Sequence, residues 1–188
     1  MSPRVNRAAR GPRVPRPLDE ARLNELALAY VARFATSGGQ LERYLKRKLR
    51  ERGWDGADEP DTADVVARLV DLRYVDDATY AAMRSGSLLR RGYGARRIDQ
   101  ALGQGGIAED LRAAARPGDP AQRQAALALA RKRRFGPFGT GAIDRPAREK
   151  QLAAMLRAGH RLDSAREIVD APSIAAAEQW VAEAEHES

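Results

Sequence analysis

Apolar residues recur at helical spacing along almost the whole chain. Over residues 20 to 35, Leu23, Leu26, Ala27, Tyr30, Val31 and Phe34 fall at i, i+3, i+4, i+7, i+8 and i+11, one stripe down one helix face. Ser37-Gly38-Gly39 breaks that pattern, and a second helix follows with Leu41, Leu45 and Leu49 four apart, stopping at Gly53. Its other faces carry Arg43, Lys46, Arg47, Lys48, Arg50 and Arg52, so it is amphipathic and basic. After the turn-rich stretch from Asp55 to Pro60, Asp61 or Thr62 is placed to cap a third helix whose apolar face is Val65, Val66, Leu69, Val70 and Leu72. No segment of useful length alternates with period two, so the spacing predicts an all-α chain.

The same order of elements returns twice. Gly53, Gly106 and Gly159 each lie 53 residues after the last, and each follows a pair of apolar residues: Leu45 and Leu49, Ile98 and Leu102, Met155 and Leu156. A glycine just past a helix end suits a left-handed cap that other residues adopt only at a cost, so these three mark the ends of three middle helices. Self-similarity at a fixed period is the signature of stacked helical units. The expected division is a disordered basic arm over 1–17, three-helix repeats over 18–75 and 76–118, and a third repeat with an extra C-terminal helix over 119–188. In the second unit, helices are expected near 77–91, 94–104 and 108–116, with Asp76 or Asp77 as cap and Tyr80, Met83 and Leu88 facing inward. In the third they are expected near 120–133, 146–158, 163–170 and 173–186, the last pinned by Trp180 and Val181.

Charge changes the picture more than composition does. With 33 Lys and Arg against 26 Asp and Glu the formal net charge is +7, which favours a polyanion or an acidic protein groove as partner. Residues 1–17 hold five arginines and no acid, and lack the apolar core of a secretory signal. No apolar run approaches the roughly 18 residues of a membrane span, so a cytoplasmic location is expected, with no membrane partner.

Catalytic and cofactor chemistry finds no foothold in the residues. There is no cysteine, and the two histidines, His160 and His186, are too far apart for a two-histidine metal helix. Gly136-Pro137-Phe138-Gly139-Thr140-Gly141 has the outer glycine spacing of a phosphate loop, but Ala142-Ile143 stands where such a loop needs its Lys-Ser/Thr pair. Asp76-Asp77 and Asp55, Asp58 and Asp61 fall where helix caps and acidic turns belong. The expectation is therefore a non-enzyme with no cofactor.

The cations do gather. Arg84, Arg90, Arg91, Arg96 and Arg97 meet no acid between residues 78 and 98. A helix starting near Gly94 has free amide donors and the positive dipole end in its first turn, so Arg96 and Arg97 there suggest an anion opposite them. Tyr93, between two glycines, reads as a packing wedge between helices.

These residues carry a resemblance. Asp71-Leu72-Arg73-Tyr74-Val75-Asp76-Asp77, then Tyr80-Ala81, then Arg90-Arg91-Gly92-Tyr93-Gly94-Ala95-Arg96-Arg97-Ile98 and Gly106-Ile107 resemble the central signature of the RecX family, regulatory proteins that modulate the RecA recombinase. The likeness extends more weakly over residues 20 to 170. It implies tandem three-helix repeats in an elongated, curved arrangement. It also implies binding in the groove of the RecA filament on single-stranded DNA, bridging protomers and suppressing ATPase, strand-exchange and co-protease activities, and so regulating DNA repair and recombination. Two departures stand out. Gly103-Gln104-Gly105 replaces better helix formers, and the helix that follows is short and ends at Pro117, which predicts a frayed end to the second unit. The tail after Pro172 is acidic, with Glu178, Glu183, Glu185 and Glu187, and docking back onto the basic face is one role open to it.

The contact residues expected for filament or strand are Arg90, Arg91, Arg96 and Arg97, then Lys46, Arg47 and Arg50, then Arg131, Lys132, Arg133 and Arg134, in a chain acting as a monomer. Cationic patches spread along a row of units suit a long grooved partner, because several weak contacts sum through effective concentration. The alternative is a sequence-nonspecific nucleic-acid-binding protein of helix-turn-helix-like units, and a generic adaptor for acidic proteins is a third reading.

Overall fold

The structure, a computed structural model, describes residues 16–141 and 144–186. The basic arm expected over 1–17 therefore lies outside the described residues except for Arg16 and Pro17, as does Ala142-Ile143. The elements in chain order are α1 (Glu20–Arg33), α2 (Gly38–Arg52), α3 (Thr62–Asp71), α4 (Asp77–Arg90), α5 (Ala95–Gln104), α6 (Glu109–Ala114), α7 (Asp119–Arg133), a 3-10 turn at Gly136–Phe138, α8 (Arg145–Arg157), α9 (Leu162–Val169) and α10 (Ile174–His186). Short polar side chains start many of them by accepting first-turn amides: Asp19, Ser37, Asp61, Asp76 and Asp144.

Each unit buries its own apolar faces. Leu18, Leu23, Leu41, Leu45, Val65 and Leu69 close the core of α1–α3. Ala81, Leu88, Ile98, Leu102 and Ile107 close that of α4–α6. In the third unit Leu127, Leu152, Met155, Ile168 and Val181 pack with partly buried Trp180, so α10 is an integral wall of that core. Three separate cores in sequence order make a row of three-helix repeats, not one globule.

Several expected inward residues face out. Met83 is 50% exposed, and α4 buries Ala81, Ser85 and Leu88. Leu72 is 65% exposed and Val70 40%, leaving Val65 and Leu69 as the buried pair of α3. The reason is helical phase: in α3 the apolar positions span more of the helix than one neighbour covers. Of the two candidate caps on α4, Asp76 performs the capping, while the Asp77 carboxylate accepts the Gly38 amide at 2.8 Å and so ties α4 to the start of α2.

The repeated glycines do mark the middle helices' ends. Gly53, Gly106 and Gly159 have φ of 81°, 81° and 95°. After α5, Gly106 donates to Gly103 and Ile107 to Leu102; after α8, Gly159 donates to Leu156 and His160 to Met155. Both are Schellman closures, with two carbonyls of the last turn satisfied by the two residues beyond it. α5 closes in this regular way, and the short helix expected after it is α6, of 6 residues with none buried. At Gly103 a Cβ would meet only the mobile end of the Arg112 side chain, at 2.6 Å.

These turns are also where the units meet. Ser37 Oγ donates to the Gly105 carbonyl at 2.5 Å, and the Arg43 guanidinium donates to the Gln104 carbonyl at 2.8 Å. One unit along, the Gly94 amide donates to Ala158 at 2.9 Å and the Arg96 amide to Gly159 at 3.2 Å. The carboxyl end of α5 thus abuts the amino end of α2, and that of α8 abuts the amino end of α5. Opposite helix poles face each other at both junctions, the favourable arrangement. The approach is as close as backbone allows: a Cβ on Gly39 would lie 2.8 Å from Gly106 Cα, and one on Gly94 would lie 2.4 Å from the Gly159 carbonyl carbon.

His160 bolts the second junction. It is 3% exposed and its Nε2–H donates to the Gly92 carbonyl at 2.9 Å. Burial pushes its pKa below the ordinary 6.5, partly offset by that hydrogen bond.

Two outcomes follow from this geometry. Gly53 meets no atom within 4 Å of an added Cβ, so Gly53→Ala should cost only the backbone strain, about 1–3 kcal/mol. Gly159→Ala would also press a methyl 2.4 Å from the Arg97 amide, adding about 1–3 kcal/mol of overpacking; urea denaturation of the two variants should rank them in that order. Because the unfolded chain protonates His160 more readily than the folded one, its contribution to stability is complete above pH 6.5 and shrinks as pH falls towards the depressed folded value. His160→Gln, which keeps a donor and does not titrate, should flatten that part of a stability-versus-pH curve.

Candidate functional site

The expected cations fall into distinct groups once the helices are in place. On α2, a helical repeat of basic residues lines a groove of about 520 Å³ with Tyr30 and Tyr44: Arg43, Lys46, Arg47 and Arg50. The two tyrosine rings stack at 4.2 Å, and Phe34 packs at 5.1 Å on Tyr30. Cations extend the stack, with Arg47 5.5 Å and Lys48 5.9 Å from the Tyr44 ring and Arg33 5.4 Å from Phe34. Lys46 is paired with Glu42 at 2.7 Å and Arg47 with Glu51 at 3.5 Å, both in solvent, where such pairs hold little energy and yield readily to a stronger anion. Lys48 holds the Glu51 carboxyl below its usual range through a hydrogen bond.

The four arginines of the second unit do not act as one patch. Arg91 turns towards the third unit and lies 5.4 Å from the Tyr93 ring. There it shares a cleft of about 280 Å³ with Lys132 and Arg133 of α7 and with Arg157 of α8. Arg96 lines a different cavity, beside Asp99, Glu109 and Arg112. Arg97 is turned to Gln100 at 2.8 Å, and Arg90 is exposed at the end of α4. Tyr93 is half-buried between α4–α5 and α7–α8, the wedge position expected of it.

The anion expected at the start of α5 is replaced by the protein itself. The Gly94 and Arg96 amides are taken by the Ala158 and Gly159 carbonyls, so the partial negative charge opposite Arg96 and Arg97 is the carboxyl end of α8. Sequence spacing could not disclose this, because the partner lies more than sixty residues away.

In the third unit the basic run splits in function. Arg131 is paired with Glu178 of α10 and lies 5.8 Å from the Phe138 ring. The acidic tail therefore docks in part on its own unit: Glu178 pairs with the basic Arg131, and Glu185 accepts from the neutral Gln124 amide at 3.2 Å. Lys132 and Arg133 form no ion pair among the described residues and face the cleft. Arg134 is the αL residue that closes α7, with φ 57° and ψ 48°. Residues that spacing alone did not single out are Arg43, one helical turn before Lys46 on α2, and Arg157, which faces Lys132 and Arg133 across the cleft from α8.

Among the described residues there is no group of three or more His, Asp or Glu able to hold a metal ion, and no helix long and apolar enough to cross a membrane. Among the described residues, Arg112 alone keeps a buried side-chain nitrogen without a hydrogen bond; it lies 3.7 Å from the Asp99 carboxylate.

Similarity to known proteins follows the same geometry. A family model described as RecX, second three-helix domain, matches residues 76–115, the stretch from the Asp76 cap through α6. Regulatory protein RecX of Myxococcus xanthus (strain DK1622) is 32% identical over 170 residues, covering 86% of this chain and 91% of that protein. The crystal structure of RecX from Lactobacillus salivarius aligns with a TM-score of 0.62 at 21% identity, covering 80% of this chain and 94% of that one; at that identity the likeness concerns the fold.

Arg134 is the candidate whose place the backbone explains. A non-glycine residue in the left-handed region is strained, and glycine at that helix-closing position relieves the strain. Arg134→Gly should raise stability by up to about 1 kcal/mol, measured by urea denaturation.

Proposed function

The chain belongs to the RecX family of regulatory proteins, and we propose that it acts, without catalysis, on the RecA filament assembled on single-stranded DNA, mostly inhibiting ATP hydrolysis, strand exchange and co-protease activity. What carries this reading is the family likeness spanning most of the chain, including the 71–107 signature. The geometry supports it physically. Basic clefts on the first unit and between the second and third are separated by a rigid backbone junction, which suits a partner whose anionic features repeat along a groove.

The contacts follow from the groups described. Lys46, Arg47 and Arg50 form one touching point. Arg91, Lys132 and Arg133 form another. Arg90, Arg96, Arg97, Arg131 and Arg134 are exposed around them and add to the field. The protein works as a monomer in the cytoplasm, with residues 18–75, 76–118 and 119–188 as its three working units and the arm over 1–17 adding positive charge.

ATP hydrolysis by the cognate RecA on single-stranded DNA, titrated with this protein at two salt concentrations, tests the reading. Inhibition is expected, and it should need more protein at the higher salt. No inhibition at either salt overturns the proposal. The triple variant K46E/R47E/R50E should need at least about tenfold more protein for half-inhibition, as three cationic contacts become repulsive; an unchanged titration removes the first unit from the contact surface. Binding to naked DNA as tight as to the filament, in a gel shift, would favour the direct nucleic-acid reading.

A further inference from the structure

The cleft between the second and third units shares its cations and aromatic rings with the α2 groove but differs from it in ion pairing. Arg91, Lys132, Arg133 and Arg157 surround it, Tyr93 and Phe135 stand in its walls, and no carboxylate lines it. None of these four cations is in an ion pair among the described residues; Arg91 has only the Tyr93 ring. On α2, by contrast, the corresponding cations are tempered by Glu42 and Glu51.

The elements that build the cleft are held firmly. Gly92 brings the end of α4 against α7 so closely that a Cβ would sit 2.9 Å from the Leu129 amide. That approach sets Arg91 and Tyr93 beside the face of α7 on which Leu129, Lys132 and Arg133 fall at i, i+3 and i+4. Arg157 reaches the same space from α8, where it follows Ala154 by three positions and precedes Ala158 by one. His160 Nε2 donating to Gly92 and the Gly94–Gly159 contact fix the two walls relative to each other. Four like charges therefore line one cleft with no carboxylate among its walls, a field that favours a bound anion.

We propose that this inter-unit cleft binds the single DNA strand directly: one base lies against the Tyr93 and Phe135 rings over the floor of Leu129, Ala154 and Ala158, and the adjoining phosphates meet Arg91, Lys132, Arg133 and Arg157. The combination selects the ligand class. Phosphates alone would need only the cations, and an acidic peptide offers carboxylates without a flat ring to cover the aromatic and aliphatic wall. A single strand presents both at a regular interval, and stacking on aromatic rings tolerates any base. The cleft, at about 280 Å³, is at the small end of ligand cavities and suits one nucleotide unit at a time. The proposal deepens the filament reading, on which it rests for the strand's setting in the cell.

The test uses the full chain without RecA. A labelled single-stranded oligonucleotide carrying one 2-aminopurine is titrated with wild type and with Arg157→Gln, Lys132→Gln/Arg133→Gln, Tyr93→Leu and Tyr93→Phe, each checked for helicity. Arg145→Gln, an exposed arginine of α8 paired with Glu149 outside the cleft, is the charge-matched control. Wild type should bind with quenching of the 2-aminopurine. Arg157→Gln should weaken binding at least about fivefold and lower the salt slope by roughly one, whereas Arg145→Gln should change affinity less than twofold. Tyr93→Leu should lose most of the quenching, and Tyr93→Phe should retain it. Equal losses for Arg145→Gln and Arg157→Gln would show a diffuse field and overturn the cleft. Displacement of the strand by polyglutamate at equal charge concentration would also overturn it, in favour of an acidic protein ligand. If RecA inhibition persists while cleft variants bind naked strand like wild type, the cleft assignment fails and the filament reading stands; if wild type binds the strand as expected but leaves RecA untouched, the reverse holds.

Discussion

The molecule depends on two places where backbone touches backbone. Gly39 against Gly106 and Gly94 against Gly159 let the carboxyl end of one middle helix meet the amino end of the one before it. Side chains at these four positions would separate the units, and the amides and carbonyls now exchanged across the junctions would be left without partners. Hydrogen bonds from Ser37 to Gly105, Gly38 to Asp77, Arg43 to Gln104, Gln40 to Tyr80 and His160 to Gly92 add to these junctions. With so much of the joining done by polar groups, each unit keeps its own apolar core, and clefts appear between units. The cleft shared by Arg91 and Arg157 is a direct product of that design.

Much of the fold could be read along the chain, for a physical reason. Helical periodicity and glycine closures are local properties, so Leu41, Leu45 and Leu49 reveal α2, and Gly106 and Gly159 reveal where α5 and α8 stop. The all-α class followed from such features, whereas the family came from the resemblance carried by residues 71 to 107. What escaped was long-range. Gly39 and Gly94 look like ordinary turn glycines until their partners are known, and the start of α5 looks like an empty anion site until α8 arrives to fill it. Met83 and Leu72 were expected inside because their spacing is apolar; which part of a wide stripe is covered depends on neighbours that spacing does not specify.

The candidate surface was legible as residue types and illegible as groups. Arg90, Arg91, Arg96 and Arg97 are nearly continuous in sequence, yet the turn at Gly92 and the start of α5 send them to different surroundings. Arg131 to Arg134 are four consecutive residues with three fates: an ion pair with α10, a place in the cleft, and a strained helix closure. Arg157 carried no signal beyond being a lone arginine at a helix end, since its company comes from α4 and α7. Runs of charge along a chain are thus poor guides to patches of charge on a surface whenever a helix or a turn intervenes.

The two outer extremities of the row of middle helices are treated differently from its interior. At one, Leu18 runs beside Trp54, donating its amide to the Gly53 carbonyl while accepting from the Asp55 amide. At the other, the Asp144 carboxylate accepts from Ala147 ahead of Pro146. One extremity is thus held by a backbone bridge and the other by a side-chain cap. The row therefore has a built-in direction, like a ruler whose two ends differ.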